Sequence, residues 1–384
     1  MSDYRLSFKY KTPFPSKTNK RLFGFPNVGQ SCYMNSFLQI LLHTPHFLET
    51  LKESYNGIDN HPLIESLIQI SESPNINSLK QIKQIMAEED DSFGREVQND
   101  SQEFGINLLN KIITIIKGNL SFEEETNEKK INEEIDKHYK IQKYKNYKKK
   151  YCKKEIKLDK MFEFHEIMFN IISNGIKIGS YKSIDFNSFL NIDLAFPIKG
   201  KKKSYSLTEL LKYKYPKNPL IEIKEEDTYS NNLLNKIFQF IEKLKDILNI
   251  FSFCNKVDED ELNTNDIDLF YSNLVSLPNI LIISINRAFL GKTIINKTLR
   301  FNETLDLKDY LENDFLDKEI ETKYKLYGVN ICYKSFFNNG HYYCYVKTNN
   351  EWYKFNDNQP VEKEIPEFDS QYVVGLYYIK EEFI

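Results

Sequence analysis

Several things are scarce in this chain of 384 residues, and each scarcity excludes something. The five cysteines are an odd number and no two form a Cys-x-x-Cys pair, so neither a disulfide framework nor a zinc ribbon is expected. The most apolar stretch, Ile280–Ile285, is far shorter than the roughly 18 residues that a membrane span requires. The first residues, MSDYRLSFKYKTPFPSK, lack the continuous apolar segment of a secretory signal. Arginine is confined to Arg5, Arg21, Arg95, Arg287 and Arg300, so the basic residues are nearly all lysine. With 52 basic against 55 acidic side chains the net charge is −3, which argues against a globally basic nucleic-acid binder. The expectation is a soluble protein of the cytoplasm or nucleus, with reduced thiols and no membrane partner.

What is abundant is core material. Hydrophobic residues make up 41% and aromatics 14%, enough for two or three subdomains at this length. Residues 1–23 are polar and Lys-rich and read as an extended lead-in. Met34, Phe37, Leu38, Leu41 and Leu42 then form one helical stripe from near Ser31, ended by Pro45. Shorter helices are expected over 62–88. A second clear helix starts around Asp100, with Phe104, Leu108, Leu109, Ile112, Ile113 and Ile116 on one face and Gly118 as its stop. Residues 119–161 are a charged insertion, acidic and then basic with interleaved tyrosines. A solvated helix or mobile segment suits this composition better than a surface for single-stranded nucleic acid. Residues 162–276 mix β-prone pieces with a helical stretch near 233–250. From 277 to 384 the pattern is β-rich, with short strands between Asn, Gly, Asp and Pro turns. The order is α+β, not alternating β-α-β.

Two places offer chemistry. Gly24 and Gly29 flank a loop that leads directly into the first helix, with Cys32 at its N-terminus. Free N–H groups and the helix dipole favour a thiolate there. A buried structural cysteine at a helix start is an equally good reading of that segment alone. A thiolate nucleophile needs a histidine. His43 and His46 lie too far along the same helix, while His61, His138 and His165 have no supporting context. His341 follows Asn338-Asn339-Gly340 and opens the strand HYYCYVK. After the next strand come Asn356 and Asp357, and two antiparallel strands would bring one of them beside His341, where either could orient the ring.

Together these pieces carry a resemblance. Residues 24–36, GFPNVGQSCYMNS, resemble the Cys box of the ubiquitin-specific proteases, which are papain-like cysteine deubiquitinases. Residues 98–104 resemble that family's Q-Q-D-A-x-E-F segment, and 277–287 its L-P-x-x-L-x-x-x-L-x-R strand. Gly340-His341-Tyr342 and Trp352 to Asp357 resemble its His box, and Tyr372 to Tyr378 its closing strand. The resemblance implies an α+β, papain-like fold with a helical thumb (24–118), β-rich fingers (162–276) and an antiparallel β palm (277–384). It also implies a thiol-dependent deubiquitinase that hydrolyses the isopeptide bond between the ubiquitin C-terminal glycine and a substrate lysine.

In that reading Cys32 is the nucleophile and His341 its base. Asn356 is the third member, with Asp357 as a neighbour that shares the role, and Asn27 stabilises the oxyanion. Asp100, matching an acidic position near the ubiquitin tail, and Tyr342 are implied to bind substrate. The expected partners are ubiquitin and ubiquitinated proteins. No cofactor is implied. The family's fingertip cysteine pairs correspond here to Ile176 and Gly179, then Cys254 and Val257, so no metal site is expected. Packing of Phe162, Phe164, Phe169, Phe251 and Phe253 should hold the fingers instead. Rival readings are an inactive ubiquitin-binding scaffold, a protease for a ubiquitin-like modifier, and an RNA-associated adaptor.

Overall fold

A computed structural model of the chain describes residues 21–55, 61–118, 137–152, 155–173, 178–197, 202–216, 267–289, 293–315, 320–333 and 340–384. The first helix, α1 (Cys32–His43), stops just before Pro45, and α2 (Phe47–Tyr55) follows it. His61 caps α3 (Pro62–Glu72), which has Pro62 in its first turn, and Asn75 caps α4 (Ile76–Glu89). Asp100 caps α5 (Ser101–Lys117), accepting from the backbone N–H groups of Gln102 and Glu103, and Gly118 ends it with a left-handed φ of 73°.

Next come α6 (Lys137–Tyr151) and α7 (Lys157–Phe162), then β1 (Phe164–Ser173), β2 (Ile178–Phe189), β3 (Ile192–Ala195), β4 (Ser204–Ser206) and α8 (Leu207–Lys214). The rest is β structure: β5 (Ile267–Leu274), β6 (Ile280–Asn286), β7 (Ala288–Phe289), β8 (Thr293–Ile294), β9 (Thr298–Arg300) and β10 (Thr304–Asp306). It finishes with β11 (Lys323–Tyr333), β12 (His341–Thr348), β13 (Glu351–Phe355), β14 (Glu362–Lys363), β15 (Asp369–Ser370) and β16 (Val373–Lys380).

The large sheet runs β14-β13-β12-β11-β16-β6-β3, with β10 also on β11. It is antiparallel except at one edge, where β3 lies parallel to β6. Both faces are covered, which explains why β6 and β16 read as continuous apolar runs. Successive side chains point to opposite faces. Ile280 and Ile282 therefore meet α1 and the thumb helices, and so do Val374, Tyr377 and Ile379, because a register shift opposite Gly375 and Val373 resets the alternation of β16. Leu281, Ile283, Ile285, Val373, Leu376 and Tyr378 meet a second core built with β3, β4, α8, β9 and β10.

Three sequence expectations change at the segment borders. α7, inside the charged insertion, packs Leu158 and Met161 into the thumb core, and Phe162 joins them. Of the other phenylalanines expected to hold the fingers, Phe164 belongs to the second palm core and Phe169 to the finger core; Phe251 and Phe253, like the 233–250 stretch, lie outside the described residues. β3 leaves the fingers for the palm sheet. The finger sheet proper, β2-β1-β5, is closed by Ile167, Phe169, Ile184, Phe186 and Val275.

The Lys-rich helix α6 is not a freely solvated element. Tyr144 and Tyr147 lay their rings against Phe186, 5.1 and 6.0 Å away, and Lys140 pairs with Glu312 at 2.7 Å and Asp314 at 2.8 Å. The lysines make α6 look polar all round, but their aromatic neighbours dock it on the finger sheet. Among the described residues no helix is long and apolar enough to cross a membrane.

Arg287, just past β6, is 2% exposed and donates to the carbonyls of Val373 (2.7 Å), Lys297 (2.6 Å), Ile295 (3.3 Å) and Ser370 (3.2 Å). Its guanidinium also stacks over Phe196, 4.9 Å from the ring centre. It gathers the chain entering β16 onto the end of β6. Arg287→Met should orphan these carbonyls, and at about 1–3 kcal/mol for a buried unsatisfied polar group should cost roughly 3 kcal/mol or more. A lower midpoint in urea unfolding measures it; an unchanged midpoint would mean water replaces the guanidinium.

Candidate active site

The loop before α1 is shaped by two glycines for different reasons. Gly29 has φ of 89°, and Gln30 after it 48°, so the chain turns sharply before entering the helix. At Gly24 a Cβ would lie 2.0 Å from the carbonyl oxygen of Asp357, so only glycine allows the two backbones to meet. The loop is closed internally: Val28 N–H donates to Ser31 Oγ at 2.8 Å, and Ser31 N–H to Asn27 Oδ1 at 3.1 Å. Ser31 makes no side-chain cap, so it leaves the N–H groups of the first turn of α1 free of that partner. Cys32 stands there, 2% exposed.

β12 opens at His341, beside Tyr333 of β11, and β13 ends one residue before Asn356. The hairpin brings Asn356 Oδ1 to 2.6 Å from His341 Nε2. An amide oxygen can only accept, so Nε2 carries the proton and Nδ1 is left as the base facing Cys32. His341 is pushed up to about 9, first by its hydrogen bond to Cys32 and then, against desolvation, by Asn356. That raised basicity suits Nδ1 to take the Cys32 thiol proton and the ring to hold it as an imidazolium.

Asp357 is placed differently. Its backbone is left-handed, with φ of 46°, and its carboxylate turns away to the Cys loop. Oδ1 accepts from Asn35 Nδ2 at 2.8 Å and Oδ2 from Asn27 Nδ2 at 3.0 Å. With both oxygens so engaged, Asp357 ties the loop and α1 to the strand end that carries the histidine, while its charge also raises the imidazole. Asn35 was not singled out in the sequence. Its Nδ2 also reaches the carbonyls of Phe25 and Pro26, both at 3.3 Å. Asn27 spends one Nδ2 hydrogen on Asp357, which leaves the second for a substrate oxygen.

The two residues expected at the substrate are also located. Asp100 reaches solvent but is crowded by protein, and desolvation raises its carboxyl against the two cap bonds that lower it. Its cap role was missed, although Asp followed by an apolar helical run is a standard start signal. Tyr342 is buried rather than displayed, paired across the β11–β12 ladder with Cys332. Burial pushes the Cys332 thiol up to about 12, so it is a neutral neighbour of Cys32.

Residues 23–378 match the ubiquitin carboxyl-terminal hydrolase family, an interval that contains every residue of this cleft. The chain belongs to that family. Ubiquitin carboxyl-terminal hydrolase 4 of Arabidopsis thaliana is 24% identical over 353 residues, which cover 88% of this chain and 84% of the relative. Ubiquitin carboxyl-terminal hydrolase 16 of the same plant is 36% identical over 107 residues, 27% of this chain but only 10% of the relative. Among solved structures, the SAGA Ubp8/Sgf11/Sus1/Sgf73 DUB module bound to ubiquitin aldehyde superposes with a TM-score of 0.59. At 19% identity, covering 97% of this chain and 72% of that one, it establishes the papain-like α+β fold.

The different partners of Asn356 and Asp357 predict different defects. Asn356→Ala removes the only side-chain oxygen hydrogen-bonded to His341 Nε2 among the described residues and should lower turnover more than Asp357→Ala, which loosens the loop but leaves the ring held. Steady-state turnover of the two alanine variants decides; a larger loss for Asp357→Ala would transfer the orienting role to the carboxylate.

Proposed function

We propose that this chain is a thiol-dependent deubiquitinase that hydrolyses the isopeptide bond between the C-terminal glycine of ubiquitin and a substrate lysine. The observation that carries the reading is the imidazole of His341, held at Nε2 by Asn356 and interacting with Cys32, in a chain of the ubiquitin carboxyl-terminal hydrolase family. Nδ1 of the neutral His341 takes the thiol proton as Cys32 attacks the glycine carbonyl, and a tetrahedral oxyanion forms opposite the resulting imidazolium. The free N–H of Asn27 and the N-terminal N–H groups of α1 are the donors for that charge. The His341 imidazolium gives its proton to the leaving lysine amine, and the neutral ring then draws a proton from the water that hydrolyses the thioester. Enclosure of Cys32 favours a slender acyl group, as a terminal glycine is. The Asp100 carboxylate, with one oxygen in the cap, has the other available for a cationic side chain on the ubiquitin tail. Because the chemistry needs a reduced thiol, cytoplasm or nucleus suits it.

Cys32→Ser should abolish hydrolysis of a ubiquitin C-terminal amide without unfolding the protein, since an unactivated hydroxyl is a far poorer nucleophile at neutral pH. A serine variant with ordinary turnover would sink the assignment. The raised histidine sets the pH window. Its protonated form contributes to folding fully below its ordinary 6.5, and that contribution is lost as pH rises through about 9. The proton donor disappears over the same upper range, so kcat/KM should fall above pH about 9. Asn356→Ala removes the lesser of the two hydrogen bonds that raise the ring and should move this limb to lower pH; a limb that does not move would place the titration on another group.

A further inference from the structure

Away from the cleft, three side chains with metal-binding atoms converge where the Lys-rich helix ends and the finger sheet begins. Cys152 follows the last residue of α6, and Glu163 and His165 flank the first residue of β1. Their Sγ, Oε1 and Nε2 atoms all lie within 4.8 Å of one another. Nε2 is 3.7 Å from the sulfur and 3.3 Å from the carboxylate oxygen. A tetrahedral ion with ligands at about 2.3 Å (sulfur) and 2.0–2.1 Å (nitrogen or oxygen) separates them by roughly 3.6 and 3.3 Å.

The other side of the imidazole is fixed. Nδ1 lies 2.8 Å from Ser276 Oγ and 3.0 Å from the Tyr144 hydroxyl, either of which can accept its proton. That tautomer turns the Nε2 lone pair toward Cys152 and Glu163, the outer-shell arrangement that metal-ligating histidines use. His165 is buried, 6% exposed. Without an ion, the Nε2 lone pair faces the acceptor oxygen of Glu163 at 3.3 Å; a cation would accept from both, and from the sulfur as well.

We propose that Cys152, Glu163 and His165 form a site for a divalent ion of the zinc class, with the fourth position open to water. Thiolate, imidazole and carboxylate together suit zinc better than calcium or magnesium, which take oxygen ligands. The ion would pin the end of α6 to the root of the fingers. The expectation of no metal site rests on the fingertip positions Ile176, Gly179, Cys254 and Val257; Cys152 lies upstream of them in the charged segment.

The test uses the full chain with Cys32→Ala, so that the thiol in the cleft does not compete. The protein is stripped with a chelator and titrated with Co2+ and then Zn2+. About one equivalent of Co2+ should bind, giving a near-ultraviolet thiolate charge-transfer band and the intense visible bands of a four-coordinate ion, all displaced by Zn2+. Cys152→Ser should remove the thiolate band. Ser276→Ala, which touches no metal, should weaken binding about 10–100-fold. Cys254→Ser should leave affinity and spectrum unchanged. In the chain with all three ligands intact, Zn2+ should protect Cys152 from maleimide, read by mass spectrometry; this holds even if the serine variant folds poorly. A protein that binds no stoichiometric Co2+, or whose thiolate band survives Cys152→Ser, or whose Cys152 stays reactive with Zn2+ present, overturns the site and leaves a simple imidazole–carboxylate pair.

Discussion

The cleft depends on the burial of α1 on every side. Eleven of its twelve residues are buried, including polar Asn35, Ser36 and Gln39. A surface helix would send those three to water. Here they hold structure: Gln39 donates to the Phe23 carbonyl at 2.9 Å, Asn35 to the loop and to Asp357, and Ser36 meets Ser101 of α5 at 3.2 Å. The apolar positions meanwhile pack against α5 and the palm sheet. A helix fixed on one face by packing and on the other by hydrogen bonds cannot rotate without losing both. The orientation of Cys32 toward β12 is set by this double constraint.

The same economy links thumb and palm. Ser101 Oγ donates to the Tyr33 carbonyl at 2.7 Å and accepts from Asn330 Nδ2 at 2.8 Å, while Tyr377 donates to Gln102 at 3.0 Å. These groups lie in a region otherwise filled by leucine, isoleucine and phenylalanine. Unsatisfied buried polar groups are costly, so their pairing fixes the register of α5 over the sheet more narrowly than apolar contact alone.

Much of this was legible in the chain. Helical periodicity placed α1 and α5 to within a residue or two, because their apolar stripes and end signals agree. The glycine-flanked loop before Cys32, and the turn before His341, marked the two halves of the cleft. The division of labour between Asn356 and Asp357 was not legible from their adjacency. It rests on the left-handed backbone at Asp357, which sends neighbouring side chains to different partners. Asn35 was hidden because a polar residue on a helix reads as solvent-facing until something else is known to cover it. The docking of α6 was hidden by its lysines, whose charge outweighs Tyr144 and Tyr147 in any average over the segment. The Cys152–Glu163–His165 cluster joins residues on either side of a segment border, and neither side alone suggested it.

The strand order of the palm has a consequence for synthesis. β16 lies between β11 and β6, in the middle of the large sheet, yet it is made after both. Until it leaves the ribosome, β11 and β6 have no common neighbour and one hydrogen-bonding edge of each is left unpaired. At about 5–20 residues per second, the stretch from the end of β6 to the end of β16 takes several seconds or more to translate. During that interval α1 lacks Val374 and Tyr377, part of the surface it packs against. A nascent chain therefore carries its thiol long before it has an enclosed cleft, and the reaction centre assembles only after the sheet has closed around its final strand.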